Sequence, residues 1–187
     1  EAMNLLGIVR DAARAVFRGF VDDGSEQRRR QAWDRFTRHQ VTRARELGAA
    51  IPVFSDADRD RFLDDMPPGK LEYLEALSSR GSYGSWLRER PVAVLRDRVL
   101  YIHAGLSPTT VGLDVAAINA RVRDELRRWD EAHEYMVRES LILPWESVQA
   151  VVPKVADVLA DAEDRPRTAQ VRANARHAGN LAGVADI

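Results

Sequence analysis

The sequence predicts an α/β chain, mainly helical, with a single β-hairpin. Three observations carry this expectation. Most of the chain repeats apolar residues at helical spacing. Two short apolar runs, Val92-Ala93-Val94-Leu95 and Val99-Leu100-Tyr101-Ile102, flank Arg96-Asp97-Arg98 in the layout of a hairpin. The second run delivers His103 to its C-terminal end, and the small residues Ala104-Gly105 come immediately after it. Strand ends of that kind are where α/β proteins present ligand-binding groups.

Taken in order, Asn4 to Phe20 carries Leu5, Leu6, Val9, Ala12, Ala13, Val16 and Phe17 in an amphipathic pattern. Asp22-Asp23-Gly24-Ser25 breaks it, with Ser25 able to cap a helix from about Glu26 to Leu47 that stops at Gly48. Arg28-Arg29-Arg30 reads as a solvated face of that helix. Ser55-Asp56 caps a short helix through Phe62 and Leu63, and Pro67-Pro68-Gly69 ends it. A further short helix covers Leu71 to Leu77, and Arg80 to Leu87 reads as a loop with aromatic anchors. After the hairpin, Asp114 caps a helix carrying Val115, Ile118, Val122, Leu126 and Trp129, with another from Ala132 to Ser140. Leu141 to Trp145 is an apolar loop, a last helix spans about Glu146 to Ala162, and the chain then turns polar. Two strands alone do not make a stable sheet, so the pair calls for partners the sequence does not clearly supply.

The 187 residues suffice for one domain with a sizeable core. A net charge of −1 gives no bulk attraction to nucleic acid or an anionic membrane. The absence of cysteine excludes disulfides, thiolate metal sites and a cysteine nucleophile, with a lean towards a cytoplasmic location. No apolar run reaches membrane-spanning length, and no nucleotide-binding P-loop or G-x-S-x-G motif occurs. Of the four histidines, His39, His133 and His177 fall in charged or polar stretches and read as surface residues. Asp56-Ala57-Asp58-Arg59-Asp60 lacks the glycine and terminal glutamate of a calcium loop. His103 differs in position: such a histidine is either a satisfied core or strand-end residue or a ligand, and the small residues after it favour the second by leaving room for a metal and a substrate oxygen.

Ile102-His103-Ala104-Gly105-Leu106-Ser107-Pro108 resembles the H-G-G-L-S-P block of the calcineurin-like metallophosphoesterases, especially the phosphoprotein-phosphatase branch and its bacterial Shewanella-like relatives. Glu1-Ala2-Met3-Asn4-Leu5-Leu6-Gly7 is similar to the residues that come after G-N-H in the family's G-N-H-E motif. Pro67-Pro68-Gly69, Glu72, Ala76-Leu77, Gly81, Tyr83-Gly84, Trp86-Leu87, Pro91 and Ile118-Asn119 extend the likeness, which covers about residues 1–125 and then fades. Residues 145–187 match nothing in it and read as a helical extension or insertion.

The resemblance implies a four-layer αββα sandwich, of which residues 1–187 form part of one domain. It implies a phosphomonoester hydrolase, acting on a small phosphomonoester or a phosphoprotein through water bridging two divalent metals, Mn, Fe or Zn. His103 takes the part of a metal ligand; Glu1 and Gly105 support the geometry around it. The family's two aspartate motifs and its asparagine ligand and proton-donating histidine precede the position of Glu1, and its last histidine block lies further on. The expectation is therefore an internal piece of the enzyme, inactive by itself. The alternative is a non-catalytic helical interaction or regulatory module.

Overall fold

The computed structural model describes residues 14–102, 105 and 108–163. They are mostly helical, with one two-stranded antiparallel sheet. In chain order come α1 (Arg14–Phe17), a 3-10 turn (Arg18–Phe20), α2 (Ser25–Glu46), α3 (Asp56–Asp65), α4 (Lys70–Leu77) and α5 (Ser82–Arg88). Next are the strands β1 (Ala93–Arg96) and β2 (Val99–Ile102), then a 3-10 turn (Pro108–Thr110), α6 (Val115–Arg138) and α7 (Val148–Glu163). Among the described residues no helix is long and apolar enough to cross a membrane.

Several boundaries have the chemistry expected of them. Ser55 accepts a hydrogen bond from the Asp58 N–H while the Asp58 carboxylate accepts from the Ser55 N–H, a reciprocal capping box. Asp114 caps α6 by accepting from the Ala117 N–H at 2.7 Å. Gly48, at φ +64°, closes α2: its N–H reaches the Arg45 carbonyl and the Ala49 N–H the Ala44 carbonyl. The same pattern ends α6, except that Ser140, at φ +58°, stands where glycine is favoured.

Three expectations need correction. Gly24, not Ser25, is the cap position of α2; Ser25 is buried in the first turn, where its hydroxyl accepts from the Asp22 N–H. The predicted loop from Arg80 to Leu87 contains helix α5. Glycine and serine at this density argue for a loop, but tertiary contact prevails. Gly84 lies so close to α4 that a Cβ would come within 2.0 Å of the Ser78 carbonyl oxygen, and Arg88 fastens the far end. Its guanidinium donates to both Asp130 oxygens at 2.6 and 2.7 Å, and to the Leu77 and Gly84 carbonyls. Finally, the two helices expected from Asp114 to Ser140 are one continuous helix, because Trp129, Ala132 and Met136 keep a single buried stripe across the supposed break.

The core sits between α6, the Leu141-Ile142-Leu143 connection and α7, with Met136, Ile142 and Val151 essentially inaccessible. An aromatic cluster of Trp33, Phe36, Phe54 and Phe62, extended by Trp145, joins α2 and α3 to that connection. A second, smaller one places Phe17 and Phe20 against Tyr73 of α4. Arg28 and Arg29 are not the solvated face expected of them. Arg28 bridges Asp22 and Glu72, and Arg29 donates to the Met66 and Leu63 carbonyls, so both tie α2 to the α3–α4 region. Burial opposes the charge of the Glu72 carboxyl, but hydrogen bonds that include Arg28 and Ser25 hold it below its ordinary range.

Candidate functional site

The hairpin turns through Asp97 and Arg98, both with positive φ (50° and 63°), which matches the right-handed twist of paired strands. Its register pairs Ala93 with Ile102, Val94 with Tyr101, Leu95 with Leu100 and Arg96 with Val99. β2 therefore ends at Ile102, the residue before His103.

One side chain fixes this hairpin on the helical body. The buried Asn119 of α6 accepts from the Val92 and Ala93 N–H groups at 2.8 and 3.0 Å and donates to the Ala93 carbonyl at 2.8 Å. The amide thus satisfies backbone groups that lie outside the β1–β2 ladder. Ala93 is buried there, and Ile118, next to Asn119 on α6, is buried too. The rest of the sheet is bare. Val94, Leu95, Val99, Leu100 and Tyr101 are between 38% and 60% exposed. Opposed pairs share a face, so Leu95 and Leu100 are exposed on one face and Val94, Val99 and Tyr101 on the other.

Glu1 and His103 lie outside the described residues. Gly105 is described: it is exposed, and a Cβ there would meet nothing within 4 Å. Among the described residues no group of three or more histidine, aspartate or glutamate side chains is placed to hold a metal ion. β2 ends at Ile102, immediately before His103.

Two cavities that the sequence reading missed lie along α2. The larger, about 730 Å³, is bordered by α2, α4 and α6, with Trp129 and His133 on its wall. Of its arginines, Arg28 pairs with Glu72, Arg80 with Glu134 and Arg88 with Asp130, while Arg35 borders both cavities. The smaller, about 530 Å³, lies between α2 and the end of α6. Neither leaves a motif, because each combines residues far apart in sequence.

His39 and His133 are half-buried, not the surface residues expected. Burial pushes both imidazoles below the ordinary value of 6.5, against Glu146 for His39 and against Asp130, Glu134 and Glu146 for His133. Lys154 and Arg43 reinforce the effect at His39. Below about pH 6.5 the unfolded chain therefore takes up more protons than the folded one, so stability falls as pH falls through the window beneath that value. The lowered carboxylates, Asp22, Asp58, Glu72 and Asp124, have ordinary values of 3.8 to 4.5 and lose their contribution only in stronger acid. Urea midpoints are expected to drop between pH 7.5 and 5.5, and less so in the double variant His39→Gln, His133→Gln. An equal drop in both proteins would remove the histidines from the explanation.

No protein-family model, curated protein or solved structure matches this chain.

Proposed function

We propose that this chain is part of a metal-dependent phosphomonoester hydrolase of the calcineurin-like kind, in which the hairpin carries His103 to a two-metal centre completed by segments outside these residues. The observation that carries the reading is the bare hairpin. A strand pair with large apolar residues exposed on both faces and, among the described residues, no further strand beside it suits the interior of a covered sheet, not a solvent-facing ribbon. The αββα sandwich implied by the resemblance would cover both faces. Its continuation would pair the edges.

An imidazole at the strand end suits manganese, iron or zinc alike. When bound, two such ions would supply an activated water and charge stabilisation for phosphate oxygens. This chain's own contribution is positional. Asn119 holds β1, β1 holds β2 through the ladder, and β2 ends at Ile102, the residue before His103. Glu1 and Gly105 stay proposed as supports of that geometry, Glu1 through neighbouring side chains and Gly105 through the turn. The substrate class is a phosphomonoester, free or on a protein.

The 187-residue chain is expected to release no p-nitrophenol from p-nitrophenyl phosphate above the blank in the presence of Mn²⁺ or Zn²⁺. Metal-dependent turnover by these residues alone would contradict the division of the site. Reading the coding sequence ahead of Glu1 separates this proposal from a non-catalytic helical module. G-D-x-H-G and G-D-x-x-D-R-G are expected there, and a start codon without them favours the module.

A further inference from the structure

The smaller cavity has a wall chemistry that the hydrolase reading does not use. Gln31, Arg35, Arg38 and Thr42 stand at i, i+4, i+7 and i+11 on α2, so they form one stripe, with His39 beside it. The opposite wall is Val137, Ser140, Ile142 and Leu143. No carboxylate lines this cavity. Among the described residues neither Arg35 nor Arg38 has an ion-pair or hydrogen-bond partner, whereas Arg28, Arg29 and Arg43 of the same helix are all engaged.

His39 adds a second observation. Its ring lines the cavity, and both ring nitrogens are shielded from solvent, with the Ser140 backbone close enough to contribute a hydrogen bond. Ser140 adds a third. It holds a hydroxyl at a left-handed backbone position where glycine would be less strained.

The cavity therefore carries two guanidiniums and no carboxylate, with an amide and two hydroxyls able to donate as well as accept, around an apolar floor. A carboxylate has two oxygens in one plane and would leave much of this set unused. A phosphate presents oxygens tetrahedrally, and guanidinium forks match it in pairs.

We propose that this cavity binds a phosphate group, either as free phosphate or as the phosphoryl end of a small molecule, with Arg35 and Arg38 as its principal contacts. The site is distinct from the hairpin and does not depend on the hydrolase reading.

The test is calorimetric titration of the full 187-residue chain with inorganic phosphate, glycerol 3-phosphate and acetate, in EDTA so that no metal contributes. Saturable binding of either phosphate, at least about tenfold tighter than acetate, is expected. Equal affinity for the two phosphates assigns the site to the free ion, and tighter binding of the ester assigns it to a phosphorylated small molecule. The variant Arg35→Gln, Arg38→Gln is expected to weaken binding at least about tenfold, and Arg127→Gln, whose side chain is exposed elsewhere on α6, to leave it unchanged. Ring resonances of His39 in the unsubstituted chain are expected to shift on adding phosphate, a readout independent of whether the variant folds. Absence of saturable binding, or His39 resonances unmoved at saturation, would overturn the proposal. Because metal is excluded, that outcome would leave the hydrolase reading untouched.

Discussion

Replacing Asn119 by alanine is expected to lower stability by about 2–4 kcal/mol and to free the hairpin from the helical body. The side chain makes three hydrogen bonds, two to backbone N–H groups and one to a backbone carbonyl. Alanine leaves those groups without partners. Around Ala93, which is 1% exposed, water cannot readily replace them. Each buried unpaired group costs about 1–3 kcal/mol, and the total is held down because Val92 is only partly buried and can be rehydrated. The hairpin has little else to retain it, since an isolated strand pair is marginal in water. Hydrogen exchange should therefore accelerate at the amides of β1 and β2 while those of α7 stay protected at the level set by the lowered global stability. Uniform protection in the variant, with a urea midpoint unchanged from the parent chain, would show that the Asn119 clamp is dispensable.

Much of the fold was legible because local chemistry and tertiary packing agree. The Ser55 cap, the Asp114 cap, the Gly48 stop and the hairpin all arise from residues within a few positions of one another, although Arg96, expected in the turn, belongs to β1 and pairs with Val99. Where the reading failed, a distant contact prevailed over local preference. Helix α5 exists because Gly84 packs against the α4 backbone and Arg88 reaches Asp130, 42 residues away. Arg28 and Arg29 looked like solvent-facing charges because Glu72 and the Met66 and Leu63 carbonyls are invisible as partners in the linear sequence. His39 and His133 misled for the same reason: charged neighbours along a helix say nothing about the element that packs over them.

The candidate site shows the complementary case. The strand Val99-Leu100-Tyr101-Ile102 was legible from its own residues, and β2 occupies those four, while His103 lies outside the described residues. The clamp that positions the strand was not legible. Asn119 could be noticed only as part of the family resemblance, and its contact with β1 depends on a helix that begins more than 20 residues later in the chain. The phosphate-type cavity had one available signal, the 31, 35, 38, 42 stripe on α2. Without the opposite wall it reads as an ordinary polar face.

The central claim, that the hairpin delivers a metal ligand to a phosphomonoesterase centre, is tested most directly by His103→Ala in the complete gene product. Loss of a partner that merely orients a metal ligand costs about 10–100-fold in affinity or activity, so removing a ligand itself is expected to lower kcat/KM for p-nitrophenyl phosphate by more than about 100-fold. Circular dichroism should remain close to that of the parent, since Asn119 and the β1–β2 ladder hold the described hairpin. The measurement is metal-dependent turnover of the two proteins at matched concentration and metal loading. A loss beyond about 100-fold with an intact fold is the predicted result. Turnover equal to the parent's would contradict the claim and remove His103 from the metal centre.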